Sequence, residues 1–226
     1  GAAGIRKVGR PACGLVSRAR SDLALDILSP DLKPSYFVLN SSAYEKNMHV
    51  LEISGDESDP DFKGRAALLF ALARDNGIAT IFRGSAETAR ELEADGVVLA
   101  GCDGVEEARA LFGEEGIIGV TCGLSNETAA AAYDAGADFV TFGTKNKGLP
   151  AVDILKFWTM LTDKPALIEG PVTNDYCAYF VQAGAGFIDA GDYIWGHGKG
   201  VMQGTVNMLH AIDLALEEQQ DRDTAQ

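Results

Sequence analysis

The most anion-seeking group in this sequence is Lys145, preceded by Thr144 in a polar loop. A compact ammonium on a flexible stem next to a hydroxyl donor suits a phosphate. Gly170 and Gly191 mark two further turns whose backbone N–H groups could cradle an oxyanion. Glu169 directly precedes the first and Asp189 lies just before the second. A carboxylate within a few Å of a phosphate disfavours it unless a cation intervenes. Asp56, Glu57, Asp103, Glu169, Asp189 and Asp192 could instead jointly hold Mg²⁺, which takes a few carboxylates together with water and substrate phosphate. Taken singly, each also reads as a solvated acid. His197, in YIWGHGKG, sits in a loop too glycine-rich to orient a general base and reads as an ordinary loop histidine. No Ser-His-Asp or Cys-His spacing is evident, and His49, His197 and His210 are scattered singly, without a zinc-ligand cluster.

The elements that must position these residues form a repeat. Ile117 to Val120 is an apolar run too short for a helix and closed by Gly123, so it predicts a buried parallel strand. Ser125 or Asn126 can cap the helix that follows, Glu127 suits the positive end of its dipole, and Gly136 stands where a left-handed C-cap is wanted. Asp138 to Phe142 is then the next strand. Strands starting at 78, 97, 117 and 138 lie about twenty residues apart. The pattern predicts further strands at 36–39, 49–53, 166–168 and 186–190, and helices at 61–76, 85–94, 105–112, 151–161, 173–183 and 201–218. The last helix shows Met202, Val206, Leu209, Ile212 and Leu216 on one face.

Eight strands, all but the first followed by a credible helix, predict an α/β chain folded as a single (β/α)8 TIM barrel. Ser41 to Asn47 leaves barely two helical turns, so the first crossover is expected to be unusually short. The expected organisation is a basic arm with a short helical segment over 1–34, a barrel over 35–218 and a polar tail over 219–226. A doubly wound sheet would need a glycine-rich phosphate turn near its first strand, which is missing here. Chemistry in a (β/α)8 barrel belongs at the carboxyl ends of the strands. That rim comprises Asn40, 54–57, Arg83, Asp103, Cys122, Gly123, Thr144, Lys145, Glu169, Gly170, Asp189, Gly191 and Asp192.

Of 19 basic residues in the 226-residue chain, Arg6, Lys7, Arg10, Arg18 and Arg20 precede the first acid, leaving 14 against 33 acids in the body. A body this acidic repels bare nucleic acid. The arm reads as a disordered tail, as an anchor for an acidic partner through residues 1–20, or as the remnant of a targeting segment. No apolar run approaches the length of a membrane span. Cys13, Cys102, Cys122 and Cys177 lack C-x-x-C spacing and the density of a disulfide scaffold, so buried thiols in a reducing compartment are expected. That compartment is a bacterial cytoplasm, with an organelle matrix as the alternative.

ADGVVLAGCD at 94–103, IIGVTCG at 117–123, AGADFVTFG at 135–143 and PVTNDYCAYFVQAGAGFIDAGDYIWGHGKG at 171–200 resemble thiamine-phosphate synthase and its TenI-like relatives, especially a divergent alphaproteobacterial branch. The resemblance implies a (β/α)8 barrel, Mg²⁺, and joining of a hydroxymethylpyrimidine diphosphate to a thiazole phosphate with release of pyrophosphate. It also implies that Thr121, Thr144, Lys145, Gly170, Asn174 and Gly191 touch substrate phosphate and that Asp103 holds metal. The departures fall on functional positions. The pyrimidine-diphosphate motif Gln-Leu-Arg-x-Lys falls in VLEISG at 50–55, which has no Gln, Arg or Lys. The Asn-Asp pair falls on Arg83 and Gly84, and the histidine after the fifth strand is Gly123. The Gly-Gly-Ile phosphate turn is Glu169-Gly170-Pro171, where Pro171 lacks an N–H, and the phosphate serine is Gly191.

Losing several positioned donors and cations should cost such a reaction many powers of ten. The expectation is a synthase-like barrel with weak or no synthase activity, a pseudoenzyme. Two alternatives stand beside it: an active synthase with an altered ligand set, and a non-catalytic subunit of a larger assembly held by its basic arm.

Overall fold

The computed structural model describes residues 14–20, 50–75, 77–143 and 149–226, with backbone alone at 14–20, 149 and 150. It is an α/β fold built on a curled parallel sheet. The strands are β1 (Gly14–Arg20), β2 (Val50–Ser54), β3 (Ala79–Arg83), β4 (Gly96–Leu99), β5 (Ile117–Thr121), β6 (Phe139–Phe142), β7 (Ala166–Ile168) and β8 (Phe187–Asp189). They pair in sequence order, and pairing of β1 with β8 closes the sheet into a barrel.

Between the strands lie α1 (Pro60–Asp75), α2 (Ala86–Glu91), α3 (Val105–Phe112), α4 (Asn126–Asp134), α5 (Leu149–Leu161) and α6 (Ala178–Gln182), and after β8 come α7 (Asp192–Trp195) and α8 (Val201–Thr224). Ser125 caps α4 as its sequence predicts, its Oγ accepting from the Thr128 N–H at 3.0 Å, and Gly136 follows with φ +92°. Ser85 does the same for α2 at 3.2 Å.

Three expectations are corrected. Gly14–Arg20, assigned to the arm, is a strand that pairs with β2 at Val16↔Val50 and Arg18↔Glu52 and with β8 at Val16↔Asp189. The sheet therefore begins at Gly14 and not at residue 35, and the connection to β2 spans 21–49, ample for a parallel return. The residues expected to form the short first crossover, 41–47, lie outside the described residues. The expected strand at 36–39 lies outside the described residues. Arginines within GLVSRAR disguise a strand, because charge dominates a reading that has no register partner in view. Second, the helix expected over 173–183 is only α6: Thr173 Oγ1 donates to Asp175 at 2.5 Å and so caps no helix. Third, the polar tail expected over 219–226 is mostly helix. Its apolar stripe ends at Leu216, but α8 continues to Thr224, and Gln219 reaches back to donate to the Gln182 carbonyl at 3.3 Å.

The core has two layers. Leu51, Ile53, Phe82, Val97, Ile118, Val120, Val140, Phe142, Ile168 and Ile188 face outward onto the helices, where they meet Phe62, Phe70, Trp158, Phe180 and Met208. Val50, Ala79, Ile81, Val98, Ile117, Phe139, Leu167 and Phe187 fill the inside of the barrel. Large residues there face small ones. A Cβ on Gly119 would lie 2.2 Å from the Phe139 ring, so the glycine makes room for the aromatic across the interior. Two acids brace the amino-terminal end. Asp95 accepts from the Thr80 N–H at 2.9 Å, and Asp138 accepts from the Ile118 N–H at 2.9 Å and from Arg109 at 2.8 Å. Each carboxylate ties the strand it precedes to the strand before it.

Candidate functional site at the carboxyl ends of the strands

Period-two alternation carries the inward-facing set upward into polar residues: Glu52 above Val50, Arg83 above Ile81, Thr121 above Gly119, Thr141 above Phe139, Glu169 above Leu167 and Asp189 above Phe187. Barrel geometry then brings them together. The Arg83 guanidinium donates to Glu52 Oε1 through Nη2 at 3.0 Å and Nε at 3.2 Å, to Thr121 Oγ1 through Nη1 at 3.0 Å, and to Glu169 Oε1 at 2.8 Å. Thr141 Oγ1 donates to the same Glu169 oxygen at 2.8 Å. Glu52 is 2% exposed, so this ion pair is held in low dielectric where each partner needs the other. The planar, always-charged fork of arginine is the side chain suited to bridging two carboxylates.

Asp189 forms a second anchor. Its Oδ1 accepts from the Gly191 N–H at 2.9 Å and its Oδ2 from the Gly170 N–H at 3.2 Å. Among the described residues, the two anchors hold three carboxylates and one guanidinium.

The structure gathers only some of the residues expected to form a site. Thr121 is present, but its hydroxyl serves Arg83. Gly170 and Gly191 are present, but their N–H groups serve Asp189. Asp103 is exposed in the 3₁₀ turn Cys102–Gly104, and Asn174 is exposed in the turn before α6, neither bonded to the cluster among the described residues. Thr144 and Lys145 lie outside the described residues. Sequence reasoning overlooked Glu52 and Thr141. Period-two alternation in the strands could have flagged both, since each is the polar residue two places beyond an inward apolar one.

Asp192 is exposed at the start of α7, and Asp56 and Glu57 are committed to local structure. Asp56 accepts from the Ser58 N–H at 2.9 Å and its hydroxyl at 2.6 Å, which lowers its carboxyl from the ordinary value. Glu57 accepts from the Ser85 hydroxyl at 2.5 Å and N–H at 3.3 Å. Burial pushes the Glu57 carboxyl up, but these bonds outweigh it and the net direction is down. No group of three or more His, Cys, Asp or Glu able to hold a metal occurs among the described residues, and Gly84 stands where the family has a second metal carboxylate.

Burial sets Cys122 and Cys177 apart from any nucleophilic role. Desolvation first, then the neighbouring Cys102 and Glu169, pushes Cys122 up to about 12, and desolvation pushes Cys177 up to about 11. At pH 8 both should resist iodoacetamide in the native protein and react once it is unfolded, as read by mass spectrometry of the labelled peptides. Fast native labelling of Cys122 would contradict its burial.

Comparison with known proteins follows the geometry. The family model described as thiamine monophosphate synthase matches residues 42–188. Thiamine-phosphate synthase of Erythrobacter litoralis is 36% identical over 137 residues, 56% of this chain and 64% of that protein. The enzyme of the same name from Hyphomonas neptunium is 37% identical over 142 residues, 59% of this chain and 64% of that protein. The match thus spans just under two thirds of each relative's length. In three dimensions, thiamine phosphate pyrophosphorylase from Pyrococcus furiosus superposes with a TM-score of 0.73 at 19% identity, over 94% of this chain and 99% of that one. Tryptophan synthase from M. tuberculosis reaches a TM-score of 0.67 at 12% identity, over 93% and 98%, so likeness at this level speaks to the barrel and not to an activity. Among the described residues no helix is long and apolar enough to cross a membrane. With the family model covering well over half of its residues, the chain belongs to the thiamine monophosphate synthase family.

Proposed function

We propose that this chain is a thiamine-phosphate-synthase-type barrel with weak or absent synthase activity, a complete (β/α)8 form whose first crossover runs through residues 21–49. The observation that carries the reading is the Glu52–Arg83–Glu169 ion cluster. The family's pyrimidine-diphosphate motif places an arginine and a lysine on the second strand, and this chain has Glu52 and Ser54 in that stretch. An arginine has appeared across the mouth on β3 and is engaged by Glu52 itself. Positive charge that would stabilise a departing pyrophosphate is therefore neutralised internally, and transition-state stabilisation of that kind depends on donors left free for the substrate. Thr144, Lys145 and Asn174 keep the family's residue types, and a phosphorylated small molecule is the ligand class they would take.

The test is pyrophosphate release and thiamine phosphate formation from hydroxymethylpyrimidine diphosphate and thiazole phosphate with Mg²⁺, using the full chain. A rate at the uncatalysed background is expected. Saturable turnover abolished by Lys145→Ala would sink the proposal and favour an active enzyme with an altered ligand set.

A further inference from the structure

The loops after the seventh and eighth strands are where barrels usually hold phosphate, on the N–H groups of glycine turns. Here those donors are engaged from within. Asp189 is 2% exposed, and each of its carboxylate oxygens takes one loop: Oδ2 the Gly170 N–H, Oδ1 the Gly191 N–H. The group spans both turns as a bridging oxyanion would. Backbone packing fixes it there. The Val172 N–H donates to the Asp189 carbonyl at 3.0 Å, and an added Cβ on Gly170 would fall 1.9 Å from that same carbonyl oxygen. Gly191 has φ +47°, and a Cβ on it would lie 3.6 Å from Asp189 Oδ1. Neither loop can back away from β8 without breaking these contacts.

We propose that Asp189 is a built-in anion occupying the phosphate cradle of this barrel, so that exclusion of phosphate at the β7–β8 end is set by this one side chain. The cradle itself persists. Its N–H donors still converge, and they are already bonded to a fixed negative charge. A phosphate arriving there meets donors already occupied by a carboxylate, and its affinity falls. The inference rests on the proposed reading that the family's substrate chemistry is lost, and it assigns part of that loss to one residue.

The test is Asp189→Ala in the full chain, titrated with inorganic phosphate by calorimetry and followed by thermal unfolding, with formate in parallel. Phosphate should bind the variant at least tenfold more tightly than the parent protein and raise only the variant's midpoint. Rescue by formate alone would mean that the space admits a carboxylate but not a phosphate, and would overturn the proposal, as would equal phosphate affinity in parent and variant. Asp189→Asn keeps the side-chain shape and one acceptor while removing the charge, so it serves where the alanine variant fails to fold. Phosphate affinity of the asparagine variant no better than the parent's would then overturn the idea. The readout is phosphate binding and not turnover, so failure here leaves the loss of synthase activity standing on the Glu52–Arg83–Glu169 cluster. Turnover by the parent protein would strike that broader reading whatever the titration gives.

Discussion

Arg83→Met should lower stability by about 3–5 kcal/mol, because it leaves Glu52, almost fully buried, and Glu169 facing each other without their shared cation. For a chain of this length that corresponds to a fall in thermal midpoint of about 6–20 °C, at roughly 2–4 °C per kcal/mol. The methionine replaces most of the arginine stem, so packing loss is minor and the lost ion pairs dominate. A second substitution separates the causes. Glu52→Gln combined with Arg83→Met removes both the buried charge and its partner, and it should recover much of the lost stability. The coupling between the two sites should be about 1–3 kcal/mol. Additive effects in the double-mutant cycle would show that the ion cluster does not hold the barrel mouth together. The result bears on function as well. If the cluster is chiefly structural, its arginine is unavailable to a substrate, which is what the proposed loss of synthase activity requires.

Gly170→Ala should cost about 3 kcal/mol or more, the upper range for overpacking, with a midpoint lower by about 6–12 °C. The reason is backbone against backbone. The new Cβ would fall 1.9 Å from the Asp189 carbonyl oxygen and 2.5 Å from the Val172 nitrogen, and neither is the movable end of a side chain. Relief requires the loop to lift from β8. That movement stretches the Val172 bond to the Asp189 carbonyl and the Gly170 bond to its carboxylate, leaving buried polar groups short of partners. Gly143→Ala is the natural control. It occupies the equivalent loop after β6, yet among the described residues its Cβ would have nothing nearer than 4.0 Å, so it should change stability by far less. Equal effects at the two glycines would mean that backbone entropy and not the close approach governs Gly170.

These two positions show what kind of information each level of structure carries. Most strands and helices were legible in the sequence because they depend on local periodicity and caps. Val105–Phe112 and Ala166–Ile168 appear where the pattern put them, and Ser125 caps its helix through a bond three residues long. The inward alternation of the strands was legible as well. The first strand was not, because Gly14–Arg20 is a strand only by virtue of β2 and β8 on either side, and pairing partners at such separation leave no local mark.

The sequence by itself determined an α/β chain of repeating βα units and many of the residues at the strand ends, while passing over Glu52 and Thr141. Those follow from residue type and short spacing. Only the tertiary structure decided what the rim residues do. Arg83 and Glu52 are 31 positions apart, Arg83 and Thr121 are 38, and Gly170 and Asp189 are 19. A closed barrel brings all of them to one end, and in that low-dielectric setting the groups satisfy one another. Residues that look like anion donors in sequence, Arg83, Gly170 and Gly191, are thereby spent on the protein's own carboxylates. Whether a charge is free or engaged depends on a few ångströms across the barrel, and no local pattern in the chain encodes that distance.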